Sequence, residues 1–448
     1  MRTTILLLIL TGYIFLNQGF MQVRVPPTYG VPIGEFALVC YLAMTNVWVV
    51  LARMRAVVHL LPFLIWWGFG IGRALFDTGE YGMWALRDAS QVIDSLFVIL
   101  GFNIARRPGD LDRLFRWLAW LIPVLAVYVM IGYPLKLAEI SPTLPGGSGE
   151  PVPLFGIMNT ADVALLWCAM YLIVAAPKSG ISLRSFLFAG GLVGYAVLML
   201  QNRTTYMQLV VMLGFTALFR RRSVGPFLAF VPIVVVAVLL ISTLGLKISG
   251  RLSDEVSLSF YADHLAAMFG VSNGDDEAIA GAAAGVGQRL EWWRDIYERL
   301  SADPATMLTG LGYGFPLVPF KATGDIQVRE PHNSVISVVA RLGLIGLSAW
   351  IWMQCELFLC WFRCLRRTRR FSSGGEWENR LLILLSFLVL VMVGAIGEDN
   401  MEKPFFAIPY YFFWGVVVKI SFLQASAPVP VARQALRPAS AYLPSASR

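Results

Sequence analysis

The stretch "PFLAFVPIVVVAVLLISTLG", residues 226–245, holds twenty consecutive residues without a charge. About 20 apolar residues wound as a helix cross the hydrocarbon of a bilayer. Three arginines, Arg220, Arg221 and Arg222, stand immediately before it, and Lys247 follows it. Cytoplasmic loops retain Lys and Arg, so the run reads as a membrane span that leaves the cytoplasm at the arginines and emerges outside near Lys247.

Reading outward in both directions, similar runs recur along the chain. About twelve come near the spanning length, among them 4–20, 32–52, 89–105, 333–362 and 405–423. The composition agrees, with 57% hydrophobic and 14% charged residues, where a soluble domain carries about 25% charged residues. The expected fold is therefore an all-α polytopic membrane protein. The run at 4–20 lacks a small-residue cleavage site after it and reads as a retained span rather than a secretory signal. Nine spans are expected in 1–246, a long outer loop in 247–331, three spans in 332–423 and a disordered Ala-, Pro- and Ser-rich tail in 424–448.

The basic residues fall in alternate connections: Arg53 and Arg55, then Arg106 to Arg116, Lys178 and Arg184, Arg220 to Arg222, and Arg363 to Arg380. That alternation predicts cytoplasmic termini. The net charge of +8 follows from this topological bias and does not point to nucleic acid. None of the five cysteines is expected on the outer side, so no disulfide or zinc framework is implied. No internal repeat is visible, which counts against a transporter or flippase, the rival class.

The loop 247–331 is where chemistry is expected. It contains a Gly/Ala-rich piece, "SNGDDEAIAGAAAGVG" (Ser272 to Gly287), expected to be flexible. An amphipathic helix should follow, with Leu290, Trp293, Ile296 and Leu300 on its apolar face. Asp275, Asp276 and Glu277 read as a solvated acidic patch ahead of a metal site. Gly310, Gly312 and Gly314 in "TGLGYGF" form either a tight turn or a loop whose N–H groups approach a phosphate. A second outer segment, "SPTLPGGSGEPVP" (Ser141 to Pro153), reads as an irregular turn.

Four residues in three stretches carry the strongest site signals. Arg203, in "LMLQNRTTYMQL", lies between two runs at the outer surface, where a guanidinium either snorkels to headgroups or grips a phosphate in two-point fashion. Arg289 precedes the amphipathic helix. His332 and Asn333, in "REPHNSVISVVARLGLIG" (Arg329 to Gly346), follow Pro331 at the mouth of the tenth span, where helix N–H groups attract anions. An imidazole there can accept a proton from a hydroxyl near neutral pH. His59 and His264 have no evident partner.

Taken together, "QNRTTY", "GQRLEWW", "LTGLGYGF" and "PHNSVISVVARLGLIG" resemble the O-antigen ligase and O-antigen polymerase superfamily, the Wzy/WaaL group, over about Val193 to Phe358. The resemblance implies a GT-C-like, metal-independent, inverting glycosyltransferase of the bacterial inner membrane with its site facing the periplasm and no cofactor. Its donor would be a glycan on polyprenyl pyrophosphate. The acceptor would be a second lipid-linked glycan for a polymerase, lipid A core for a ligase, or protein in a third branch. Membrane lipids and, for a polymerase, a chain-length regulator are further expected partners, and nucleic acid is not. His332 matches the family's essential histidine, and Asn333 completes its His-Asn pair and is expected to contact the pyrophosphate. Arg203 and Arg289 match the pyrophosphate-binding arginines, while Arg73 and Arg87 carry over as further phosphate contacts at the outer ends of the third and fourth spans. The chain departs from the family in having Asn202 rather than Ser before Arg203, and residues 1–190 lie outside the resemblance. Polymerisation is the first expectation and ligation the alternative. Trp292 and Trp293 are expected either to stack on sugar faces or to anchor at the membrane interface.

Overall fold

The computed structural model describes residues 2–26, 30–105, 108–146, 151–156, 160–176, 180–245, 257–267, 270, 277–318, 328–371 and 375–426. The described chain is almost wholly helical. The first part comprises α1 (Arg2–Met21), the short α2 (Ile33–Ala43) and α3 (Val47–Met54), α4 (Leu61–Tyr81), α5 (Met83–Asp88), α6 (Ser90–Ser95), α7 (Phe97–Asn103), α8 (Pro108–Gly132) and α9 (Ala161–Ala175). There follow α10 (Leu183–Tyr195), α11 (Arg203–Phe219), α12 (Val224–Leu228) and α13 (Phe230–Thr243). The region 247–331 holds α14 (Leu258–Ala266), α15 (Glu277–Ser301) and α16 (Pro304–Thr309). Last come α17 (Ser334–Phe371), α18 (Glu376–Gly397) and α19 (Pro404–Ser426).

Among the described residues, seven helices are long and apolar enough to cross a membrane, or eight if α2 and α3, which meet at a 92° bend, form one broken span. That is fewer than the twelve expected, and the apolar runs themselves explain it. The run at 89–105 is divided between α6 and α7, α9 has 15 residues and α11 has 17. Helix α4 is long, but Arg73, Asp77 and Glu80 fall in its second half. A run of apolar residues measures burial in something apolar, and protein interior serves as well as lipid.

Burial ranks the helices from centre to edge. The most apolar part of α19 is 89% buried, whereas that of the span containing the opening stretch, Arg221–Thr243, is 17% buried and presents Val231, Ile233 and Val236 outward. Helices α7 and α19 cross at backbone contact. A Cβ on Gly101 would lie 2.0 Å from the Phe412 carbonyl, and one on Gly415 would lie 2.2 Å from that of Val98. Around this crossing Trp167, Phe387 and Phe413 pack ring against ring.

Two ends of the bundle are distinguished by charge. At one, Arg220 and Arg369 converge on Glu378, and Arg380 binds Asp112 at 2.7 Å. Three of the basic connections read from sequence thus meet. Helix α18 runs from this end, and its 22 residues rise about 33 Å, so Gly397 and the connection to α19 lie at the other end.

Two local expectations change. The Gly/Ala-rich piece is helical from Glu277 onward, continuous with the amphipathic helix, since alanine is the strongest helix former. Residues 271–276, with Asp275 and Asp276, lie outside the described residues, as do the side chain of Glu277 and most of the tail. The face of α15 is also rotated: Trp292, Ile296 and Leu300 are buried, while Leu290 is exposed. Within the segment from Ser141 to Pro153, β1 (Thr143–Pro145) pairs antiparallel with β2 (Pro151–Pro153), while residues 147–150, where the irregular turn is expected, lie outside the described residues.

Candidate active site

The sequence His332-Asn333-Ser334 assigns one task to each side chain. Asn333 caps α17, its Oδ1 accepting from Val335 and Ile336 N–H at 3.0 and 3.1 Å, which satisfies donors that a helix start leaves open. Its Nδ2 donates to the Ile396 carbonyl at 2.7 Å. Ser334 donates to Glu402 Oε2 at 2.7 Å and accepts from Met401 N–H at 3.0 Å. Both residues therefore tie the start of α17 to the connection 396–402. Asn333, expected to contact pyrophosphate, is instead engaged through both ends of its amide.

His332 lies just outside the helix with φ +52°, a left-handed conformation that costs a non-glycine residue about 1–3 kcal/mol. The turn brings its Nδ1 to 3.3 Å from Glu398 Oε2 and 3.5 Å from Asp399 Oδ1. Neither approach has the alignment of a hydrogen bond, so these are ion-pair contacts. The Asp399 and then the Glu398 carboxylates raise the imidazole to about 9, against its partial burial. With Nδ1 turned inward, Nε2 is the nitrogen left for a reacting group. Trp292 faces the imidazole with ring centroids 6.1 Å apart, and Trp293 Nε1 donates to the Pro331 carbonyl at 2.9 Å. The two tryptophans thus hold the histidine segment from the α15 side.

Arg289 Nη1 donates to the Gly397 carbonyl at 2.8 Å, and its Nη2 donates to Glu398 Oε1 at 3.1 Å. Arg203 opens α11 directly after Asn202, whose side chain caps it, and donates from Nη1 to the Ala267 carbonyl at 3.2 Å. Arg289 and Glu398 lie close enough to act on its charge. Arg203, Arg289 and His332, distant in sequence, share one neighbourhood around Glu398.

Sequence reasoning missed the other half of this cluster, the "GEDNMEKP" connection between α18 and α19. Lys403 Nζ lies 2.7 Å from Asp399 Oδ1. Although burial opposes it, Lys403 first and His332 next hold Asp399 well below the usual carboxylate range. Burial would likewise raise Glu398, yet His332 and Arg289 keep it low. Glu402 behaves oppositely: burial, then repulsion from Glu330 and Asp399, pushes it up to about 8. The signal was present, since Glu398, Asp399, Glu402 and Lys403 crowd a short connection between two apolar runs.

His332, Glu398 and Asp399 each offer a donor atom, and the three lie within 4.8 Å of one another, a donor set that a divalent cation accepts. Arg289 on Glu398 and Lys403 on Asp399 already neutralise both carboxylates. The trio as built is an ion-pair network in which four cationic side chains, counting Arg203, face two carboxylates, and the surplus is positive.

Arg73 and Arg87 belong to a second network. Arg73 Nε lies 3.0 Å from both oxygens of Asp77, and Arg87 stacks on Trp84 at 4.6 Å. Asp77 and Asp88 accept from the N–H groups of Tyr313 and Gly314 at 2.7 and 3.1 Å. The Leu311 and Gly312 N–H groups donate to the Ala340 and Arg341 carbonyls beside the break of α17 at Gly343. The four successive N–H groups from Leu311 to Gly314 are thus satisfied within the protein, and the glycine loop is a tight staple rather than an open phosphate cradle. Glycine is required there: φ is positive at Gly310, Gly312 and Gly314, and a Cβ on Gly310 would lie 2.4 Å from the Arg341 carbonyl. His264, without an evident partner in sequence, meets Tyr206 Oη at 3.2 Å through Nδ1.

No curated protein matches the chain. Residues 187–351 match the family model described as O-antigen ligase, a span that begins in α10, ends midway along α17 and contains Arg203, Arg289, His332 and Asn333. That match covers less than half of a chain whose helices make it a multi-pass membrane protein, and it supports the resemblance of this segment to the O-antigen ligase and polymerase superfamily.

Proposed function

We propose that the protein transfers a glycan from polyprenyl pyrophosphate to an acceptor hydroxyl at the His332 end of the bundle, on the periplasmic face, without a resident metal. The observation that carries this reading is the cluster itself: an imidazole held by two carboxylates beside two arginines, partly open to the surroundings, with His332 31% and Glu398 33% exposed.

In this scheme Arg203 and Arg289 take the donor pyrophosphate, Arg289 exchanging part of its contact with Glu398 for phosphate oxygens. The bond between the anomeric carbon and the phosphate oxygen breaks, and the leaving polyprenyl pyrophosphate keeps the electron pair. Guanidinium groups fixed beforehand around that charge supply the electrostatic stabilisation. The acceptor oxygen attacks from the opposite face and inverts the anomeric centre. Its proton passes to Nε2 of His332, and Asp399 and Glu398 stabilise the resulting imidazolium. A pKa of about 9 leaves about one imidazole in a hundred neutral at pH 7, so the base is strong but sparsely populated.

Polymerisation of O-antigen or exopolysaccharide repeats is the first reading of the acceptor. Ligation to lipid A core is the second, favoured by the description of the matched family. The test is transfer by purified protein given lipid-linked donor and each acceptor in turn, with a chelator and no energy source. Product with one acceptor supports the scheme and assigns the branch. Absence of transfer, together with substrate-dependent transport in vesicles, would replace it with a flippase. Loss on chelation with recovery on adding magnesium or manganese would assign a metal to His332, Glu398 and Asp399.

A further inference from the structure

At the bend between α2 and α3, against the far half of α19, lies a cavity of about 350 Å³ whose lining includes Thr45, Asn46, Arg53, Asn103 and Lys419. Its size falls within the range of small-ligand sites, about 300–1,000 Å³. No carboxylate lines it. Lys419 is only 7% exposed, and its ammonium lies 5.1 Å from the Phe102 ring and 5.5 Å from that of Phe422. Among the described residues no acidic group pairs with it. Buried charges are ordinarily paired, and ring faces alone leave this one without a counter-charge. Arg53 brings a second positive charge to the same cavity. Thr45 Oγ1 is buried and makes no hydrogen bond, so its hydroxyl is available to donate. Asn46 Oδ1 is occupied in capping α3, which leaves its amide nitrogen as a further donor.

Two cations and two neutral donors around one space match the oxygens of a phosphate group. The surroundings indicate how it arrives. Lys419 is sixteen residues along from Lys403, or about 24 Å of helix rise, so the cavity lies toward the opposite end of the bundle from His332. Met44, Trp48 and Val49 beside it are exposed, and an exposed tryptophan with apolar neighbours is characteristic of a membrane interface.

We propose that this cavity binds a phosphate group, presented by an anionic phospholipid at the membrane face opposite His332. The inference is independent of the transfer reaction, because none of these residues belongs to the His332 cluster.

The test uses full-length protein in maltoside detergent, titrated with phosphatidylglycerol, phosphatidylcholine or inorganic phosphate and followed by native mass spectrometry. Wild type should hold one phosphatidylglycerol in preference to phosphatidylcholine, and Lys419→Met should weaken it by about tenfold or more, as loss of one charged hydrogen-bond donor requires. Removing an unpaired buried charge does not threaten folding, and Thr45→Val, which keeps the side-chain volume, should weaken binding severalfold. Retention of the lipid in excess inorganic phosphate supports the lipid source. Saturation by inorganic phosphate without lipid selectivity would overturn the lipid assignment and leave a soluble phosphate site. Equal binding by wild type and Lys419→Met, or binding of neither probe, would overturn the site altogether.

Discussion

Two ion-pair networks meet the region 247–331, and they are built differently. Around Asp88 the groups are buried and thoroughly bonded: Arg329 contacts both carboxylate oxygens at 3.2 and 2.6 Å, Arg341 Nη2 lies at 3.1 Å, and the Gly314 N–H adds a further bond. Asp88 and Arg341 side chains are 3% and 4% exposed. Around Asp399 the groups are half open, their approaches are poorly aligned, and the central histidine has a strained backbone. A density of charges therefore does not mark the site. The distinction lies in what is left open: the first network, apart from Arg341 Nε, has its polar groups committed to holding loop on bundle, while the second keeps positive charge and an imidazole nitrogen for something that arrives.

The comparison breaks most visibly at Asp88. Asp88→Ala leaves Arg329 and Arg341 facing each other beneath the loop, and removing one partner of a buried network costs about 3–5 kcal/mol. A marked fall in folded yield and in thermal stability in detergent is expected. Stability near that of wild type would mean that this network does not hold the loop. At His332 the result should invert: His332→Ala stays folded and inserted, while transfer drops about a hundredfold or more. His332→Gln keeps a hydrogen-bonding amide without a basic nitrogen, and strong activity in that variant would make the histidine an orienting group.

A smaller effect is expected for Arg203→Lys. Lysine keeps the charge but not the planar fork, and transfer should fall by about tenfold, the worth of one charge-assisted hydrogen bond. Full activity would assign Arg203 to headgroup anchoring. The finest distinction is in pH. If neutral His332 is the base, the rate below its pKa of about 9 rises with pH, because each step toward 9 enlarges the deprotonated fraction, and it levels above that value. Asp399→Asn removes charge that favours the imidazolium, so the rising limb should move to lower pH by roughly one unit. A rate that falls over this range would make the imidazolium itself the working form, as a cation on the pyrophosphate.

Much of this was legible in the sequence because polar residues interrupting apolar runs are conspicuous. His332, Arg203 and Arg289 were found that way, and they do share a neighbourhood. Glu398, Asp399 and Lys403 stand out less, because a short charged connection between two apolar runs is equally what a solvated turn between spans contains. Which charges face which is a property of packing, and neither spacing nor periodicity encodes it. The same limit applies to Asn333, legible as a polar residue at a helix mouth but not as a cap, and to the glycine loop, whose N–H groups found Asp77, Asp88 and two carbonyls of α17. Span number is the least legible feature, because helices enclosed by other helices are as apolar as those facing lipid.

Under the proposed scheme, the glycine crossing of α7 and α19 bears on how a substrate as large as a lipid-linked glycan would get in and out. With Gly101 and Gly415 in backbone contact, α19 has no slack for sliding or tilting, and Lys403, one residue before its start, is anchored to a fixed post. Asp399 is moored to that lysine, so the carboxylate side of the site serves as an anvil. On the opposite side, α15 holds the floor through Arg289 to Gly397 and Glu398 and through Trp293 to Pro331, contacts made by side chains rather than by interlocked backbone. Opening for a donor therefore falls to α15, and Arg289, which would grip the pyrophosphate, is also the latch that must release for it to enter.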